Sequence, residues 1–373
     1  METIDIKKLS YEEKIDLASN NETSAELLSA LAQDEHPDIR LTVASNTNTP
    51  ANVLATLAKD QNRDVRLEVA YNTSTPSEVL ATLAGDEYYS VRLEVAGNKN
   101  SPIEALEVLA SDKESDIRKA VAENPNTPHS TLVMLAKDIN LGVRASVARN
   151  NNTPVEILVM LASDKEGWVR QAVALNGNTP VDALFALATN KEECVRCEVV
   201  KNENAPIKLL AMLSQNKHWL VRETVALNER TPSEVLVTLS KDKEERIRGA
   251  VASNENTPVK TLDLLATDKD SLVRCAVAVN KNTSVETLVM LANDEDHRVR
   301  KAVARNENAP ADILTTLAQD KNAYIRYEVA KNPNTPYKTL VMLSQDTEFW
   351  VEKNAKKLLR EHKKKKQYRK ITS

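Results

Sequence analysis

Residues 143–164 read VRASVARNNNTPVEILVMLASD, and residues 247–268 read IRGAVASNENTPVKTLDLLATD. The two stretches superpose letter on letter without a gap, and a 26-residue period runs outward from them in both directions. Proline falls on the mark of that period eleven times, from Pro50, Pro76 and Pro102 to Pro336, with Ser24 and Ser284 in the two remaining places. Asn stands four residues before all thirteen marks, and Leu stands four and seven residues after each. Asp follows ten residues after eleven marks, Asn190 and Asn216 being the exceptions, and Val or Ile followed by Arg precedes twelve.

Each repeat reads as two short helices. Thr-Pro, as in Thr153-Pro154 and Thr257-Pro258, predicts an N-cap hydroxyl followed by a residue that needs no N–H at the first helical position. Acids at the third helical position, among them Glu78, Glu156, Glu234 and Glu286, predict capping boxes. Leu158, Leu161 and Ala162 recur at helical spacing and define the buried face of this helix. The segment before it, such as Trp168 to Leu175, predicts a companion of about two turns, closed by the Asn-x-Asn turn. Helices this short are marginal alone, so stacking on neighbours must stabilise them. The expected fold is an all-α solenoid of thirteen 26-residue repeats over residues 11–350, after an N-terminal segment 1–10 and before a capping helix and basic tail at 351–373.

The unit VRxxVAxNxNTPxxxLxxLAxD, carried by both quoted stretches, resembles the leucine-rich repeat variant family. The resemblance implies a right-handed superhelix of alternating short helices, some with 3₁₀ character. The Asp-x5-Arg spacing, as in Asp60 to Arg66 and Asp164 to Arg170, is also similar to HEAT repeats, whose Asp and Arg form ladders along the stack. Some leucine-rich repeat variant proteins carry a Cys-rich iron–sulfur segment ahead of the repeats. This chain has no Cys before Cys194, and no cofactor is expected.

Composition agrees with a repeat protein packed by small aliphatics, because only 3% of the 373 residues are aromatic and six are Gly. The net charge of −4 is unevenly spread: residues 351–373 hold ten Lys/Arg against two Asp/Glu, leaving 40 basic against 52 acidic residues in 1–350. No apolar run suits a signal peptide or a membrane span, and three cysteines suit a reducing compartment, so a soluble cytoplasmic protein with no membrane association is expected. Cys194 and Cys197 lack the second pair of a zinc site, and the five His lie in different repeats without HExxH spacing. With no GxSxG, GxGxxG or P-loop either, no catalytic residue and no metal is expected, and the chain is read as a non-enzyme. A DNA-repair enzyme built on a HEAT-like solenoid is an alternative.

The Arg of VRxxVA projects to the packed side of its helix, where an unpaired charge is costly. Asp six residues earlier is its natural partner, within a repeat or across adjacent ones. Arg66, Arg92, Arg118, Arg144 and Arg170, with Asp60, Asp86, Asp112, Asp138 and Asp164, are therefore read as a structural ladder. What varies lies 12, 9, 8 and 5 residues before each mark, one stripe on the same helix, which the HEAT analogy places on a concave surface. The stripe is acidic in the first four repeats, apolar in the middle and basic-aromatic at the end. Its candidate partner-binding residues are Tyr71, Trp168, Leu175, Leu220, Leu227, Arg298, Lys301, Arg305, Tyr324 and Tyr327. The expected function is a binding scaffold for a protein or extended peptide. Nucleic acid held by the basic C-terminal end is the other reading, against which the acidic first third stands.

Overall fold

The computed structural model describes residues 6–371, with side chains as far as Glu361. Thirteen A helices of nine residues, from Tyr11–Ser19 to Ala323–Lys331, alternate with thirteen B helices of seven or eight, from Ala25–Leu31 to Tyr337–Leu343. A last helix, Phe349–Ile371, takes the place of a fourteenth A helix, and no strand occurs among the described residues. The chain is an all-α repeat solenoid, repeat for repeat as its 26-residue period requires. It forms two compact bodies, residues 1–204 and 205–373. In each, A helices stack on the A helices of adjacent repeats and every B helix lies against the A helices beside it.

The B helices are α-helical, whereas the family resemblance implies 3₁₀ character in some short helices. Leu54 and Ala58 donate to the carbonyls of Pro50 and Leu54 at 3.0 and 2.8 Å, and i→i−3 bonds close the last turn, as from Lys59 to Thr56. A 3₁₀ helix is found at Ile6–Lys8, ahead of the repeats.

Helix entry also differs from expectation. Thr49 does not cap the B helix: its hydroxyl donates to the Val43 carbonyl at 2.6 Å, tying the turn back to the A helix. Pro50 is itself the N-cap, with φ −61° and ψ 146°. A proline N-cap has no N–H to give and makes the acid, such as Glu78, the second helical residue, so the reciprocal capping box cannot form. Where serine replaces proline, Ser24 and Ser284 do accept from the N–H groups of Leu27 and Thr287. A complete capping box stands at Ser10 and Glu13, in front of the first A helix.

The core is a row of small and medium aliphatics. Ile39, Val43 and Ala44 of an A helix pack with Leu54 and Leu57 of its B helix, all fully or almost fully buried. The Asn four residues before each mark joins one repeat to the last. Asn176 donates through Nδ2 to the carbonyls of Ala148 and Asn150 at 2.8 and 3.1 Å, and its Oδ1 accepts the Asn178 N–H at 2.8 Å. From Asn46 to Asn202 and from Asn254 to Asn332 these side chains satisfy carbonyls at the C-terminal end of the preceding A helix, groups that a helix end otherwise leaves unpaired. Asn176→Ala is expected to lower the unfolding free energy by about 1–3 kcal/mol, the cost of buried acceptors left without a donor. Chemical denaturation checks this, with Asn178→Ala, at a more exposed rung, as the milder comparison.

The C-terminal helix buries Val351 and Ala355 completely, while Leu358 is half-buried. Its backbone stays helical to Ile371, through the basic run Lys363 to Lys366. The side chains of that run lie outside the described residues.

Candidate binding face

Beside the face lies a charged seam. In the body of residues 1–204, Arg40 grips Asp60 through Nε and Nη2 at 2.6 and 2.9 Å, and its Nη1 donates to the Asp34 and Glu35 carbonyls. Arg66, Arg92, Arg118 and Arg144 repeat this with Asp86, Asp112, Asp138 and Asp164. In residues 205–373, Arg222 to Arg326 do the same with Asp242 to Asp346. The Asp six residues before an Arg therefore gives it a backbone carbonyl, while the carboxylate comes from twenty residues ahead. Asp164 holds Arg144 with its carboxylate and offers Arg170 its main-chain oxygen. In the first repeat, where Lys14 replaces Arg, the pair is Lys14 with Asp34 at 2.8 Å.

Burial alone pushes the Asp60 carboxyl up. Hydrogen bonds from Arg40 and the Asn62 N–H, with the Arg40 and Arg66 charges, outweigh burial and hold it below its ordinary value. The same balance lowers Asp86 and Asp138. A carboxyl whose folded pKa is depressed contributes stability that is complete above its unfolded value of about 4 and lost as pH falls through the folded one. Melting temperature is thus expected to hold near neutrality and drop progressively below about pH 4. Asp86→Asn should melt lower at neutral pH and approach the parent protein in acid. A gap between the two that stays constant with pH would count against the seam as the source of the acid sensitivity.

The seam fails at Arg170 because Asn190 occupies the acid's place. Glu192 swings in and bonds Nη2, leaving the buried Nε without a partner among the described residues. Gly167 makes the room: a Cβ there would meet the Glu192 carboxyl at 3.3 Å. Arg196, twenty residues before Asn216, likewise has an unpartnered buried Nε. Asn190→Asp is expected to raise the unfolding free energy by about 1–2 kcal/mol by filling the Arg170 fork. Glu192→Ala should then cost less in the Asn190→Asp background than in the parent chain, which a double-mutant cycle on denaturation curves would read.

The face itself is made by the outward sides of the A helices. Positions 12 and 5 before the mark generally project outward: Tyr71, Trp168 and Tyr324 are 67%, 66% and 63% exposed, with Leu175 and Leu227 also well exposed. Positions 9 and 8 sit between adjacent A helices. Leu41, Leu67 and Tyr327 are half-buried there, and Leu220 is half-buried although it stands 12 before its mark. The stripe is therefore narrower than the four positions suggested. In residues 1–204 it carries Glu68 and Glu94 on adjacent A helices, both pushed above the ordinary range by burial, Glu68 further by Glu94 and Asp64. Tyr71, Glu94 and Gly97 line a cavity of about 440 Å³.

In residues 205–373 the face ends in aromatics. Trp350 lies 5.2 Å from both Tyr324 and Tyr327, centroid to centroid. Lys301 stands 5.7 Å over the Tyr324 ring and Lys331 5.1 Å over the Tyr327 ring. Glu328 lies beneath, 3.7 Å from Lys301 and 3.8 Å from Arg305. Arg298 turns away to Asp296 at 2.6 Å. Trp219 was not singled out by the stripe, since it stands 13 before its mark; it stacks on His218 and carries Arg246 at 4.3 Å over its ring.

Apolar exposure is not confined to this face. The B helices show Val and Met at fixed positions, among them Val133, Met134, Val159 and Met160. All five methionines after Met1 stand six residues after a mark, and each is partly exposed. Chemistry is thinner. Cys194, Cys197 and Cys275 are unbridged, and among the described residues no group of His, Cys, Asp and Glu could hold a metal ion. No helix among them is long and apolar enough to cross a membrane.

The leucine rich repeat variant family model matches residues 63–87, 141–166 and 297–322, each one repeat long. Among solved structures, one described as a leucine-rich repeat variant with a novel repetitive structural motif is 26% identical, covering 59% of this chain and 87% of the other at a TM-score of 0.47. An engineered protein is 20% identical over 91% and 98% of the two chains, at a TM-score of 0.26. Kap121p bound to RanGTP is 12% identical at a TM-score of 0.46; 94% of this chain matches 48% of that one. No curated protein matches.

Proposed function

From a chain whose repeats match the leucine-rich repeat variant model, we propose a non-catalytic scaffold that binds a protein or extended peptide along the outward face of its A helices. One observation carries this reading. Large side chains on that face change identity from repeat to repeat, as with Tyr71, Trp168, Leu227 and Tyr324, while on the B-helix face Val recurs five residues after the mark in five repeats and Met six residues after it in five. A surface that repeats one chemistry cannot set the register of a partner. One that passes from acidic through apolar to basic-aromatic can.

Packing within the repeat does not account for the exposed members. Trp168 and Tyr324 project past the layer that buries Val169 and Ile325, so their apolar area stays in water unless a partner covers it. The nucleic-acid reading draws on the basic end of residues 205–373 alone, and the acids Glu68 and Glu94 on the A helices of residues 1–204 oppose it.

Affinity capture followed by mass spectrometry identifies the partner, and substitutions then locate it. Trp168→Ala and Tyr324→Ala are each expected to weaken binding by roughly 2 kcal/mol, about thirtyfold in Kd. Val159→Ala, on the B-helix face, should leave affinity unchanged. Equal losses from both faces, or a loss from Val159 alone, would move the site to the Val and Met rows. Captured nucleic acid, with binding that falls steeply with salt, would instead point to phosphate contacts.

A further inference from the structure

We propose that the aromatic group Tyr324, Tyr327 and Trp350, with the cations around it, is the docking site of an acidic peptide segment that carries apolar side chains. The inference rests on the scaffold reading and names the chemistry of what binds at this place.

The charge on the site is one-sided. Lys301, Arg305 and Lys331 stand on two adjacent A helices, and Lys353 and Lys357 are exposed on the C-terminal helix. Glu328, the acid among them, is sunk beneath Lys301 and Arg305 with its side chain 11% exposed, so what a partner meets is positive. The ammonium groups are also held in place. Lys301 and Lys331 lie over the faces of Tyr324 and Tyr327, and Lys353 lies 5.8 Å over Phe349. A cation resting on a ring loses side-chain freedom before binding, so less entropy remains to be lost when a carboxylate arrives.

The ring arrangement selects peptide over nucleic acid. A base needs an open ring face on which to stack. Here Lys301 lies over the Tyr324 ring, which Trp350 flanks at an interplanar angle of 33°; Lys331 lies over Tyr327, which meets Trp350 at 66°. The rings offer edges and a shallow apolar floor ringed by ammonium groups. That pattern suits alternating carboxylate and aliphatic side chains of an extended chain, one set pairing with the lysines and the other resting on the rings.

The test uses the full chain and three fluorescent probes: a short peptide of alternating Glu and Leu, its Lys and Leu counterpart, and oligothymidylate. Fluorescence anisotropy should show the acidic peptide binding, with an affinity that falls as salt rises, and neither other probe competing with it. The double charge reversal Lys331→Glu with Lys353→Glu lies on exposed side chains and should weaken acidic-peptide binding by about tenfold or more without lowering the melting temperature. Tyr324→Phe should keep binding and Tyr324→Ala should lose it. Acidic-peptide binding unmoved by the charge reversal, or oligothymidylate bound in its place, overturns the proposal. A natural partner that depends on Trp168 and Leu175 but ignores these substitutions overturns it too, while leaving the scaffold reading intact.

Discussion

A nine-residue helix does not persist in water, and within each body the A helices depend on polar bonds handed across from neighbouring repeats. The guanidinium of Arg66, as of most ladder arginines, closes the turn before its own helix through two main-chain carbonyls and takes a carboxylate from the next repeat. The carboxylate in turn accepts the N–H two residues on, as Asp86 does from Tyr88. One side chain thus fixes the entry of an A helix and the spacing to its neighbour together. The asparagine at the other end of the helix does the same for its exit. Between these two polar clamps the aliphatic core needs to supply only bulk of the right size, which is why Val, Ala and Leu suffice and aromatics are scarce.

Much of this was legible because repetition averages out local ambiguity. Thirteen in-phase copies of a Leu pair, ten of them with an Asn-x-Asn turn before it, determine helix, turn, helix more firmly than any one copy could. The direction of the arginine was legible too, since helical projection places it with Val and Ala of VRxxVA. Its carboxylate partner was not, because Asp lies six residues behind and twenty ahead in the same periodic pattern, and a period cannot tell these neighbours apart. Thr-Pro misled for a different reason. A hydroxyl before a proline looks like a cap, but proline takes the N-cap position itself and leaves the hydroxyl free to bond the helix behind.

Departures from the period carried their own signal. Gly167 is the sole glycine thirteen residues before a mark, and it sits in the repeat whose arginine lacks its aspartate. Read together, Gly167 and Asn190 announce that something larger must enter, and Glu192 does. The candidate face was legible in outline, through Trp168, Tyr71 and Tyr324, but not in depth. Burial at positions 9 and 8 depends on how closely adjacent A helices approach, a quantity that a sequence period leaves open. For the same reason Glu68 and Glu94 did not stand out as carboxyls whose ionisation is resisted by burial.

The division of labour inside each repeat explains how a uniform scaffold can carry a varied surface. Stability resides in the clamps and the aliphatic rows, whose loss costs on the order of 1–3 kcal/mol at each buried polar group and 2–5 at each buried leucine. Side chains that project from the A helices touch neither, and surface replacements of that kind usually shift stability by about half a kilocalorie per mole or less. Asp38, Trp168 and Tyr324 occupy the same register position in three repeats, one a carboxylate, one an indole and one a phenol. The fold permits this because the two helix ends, and not the exposed side, determine where the next repeat must lie.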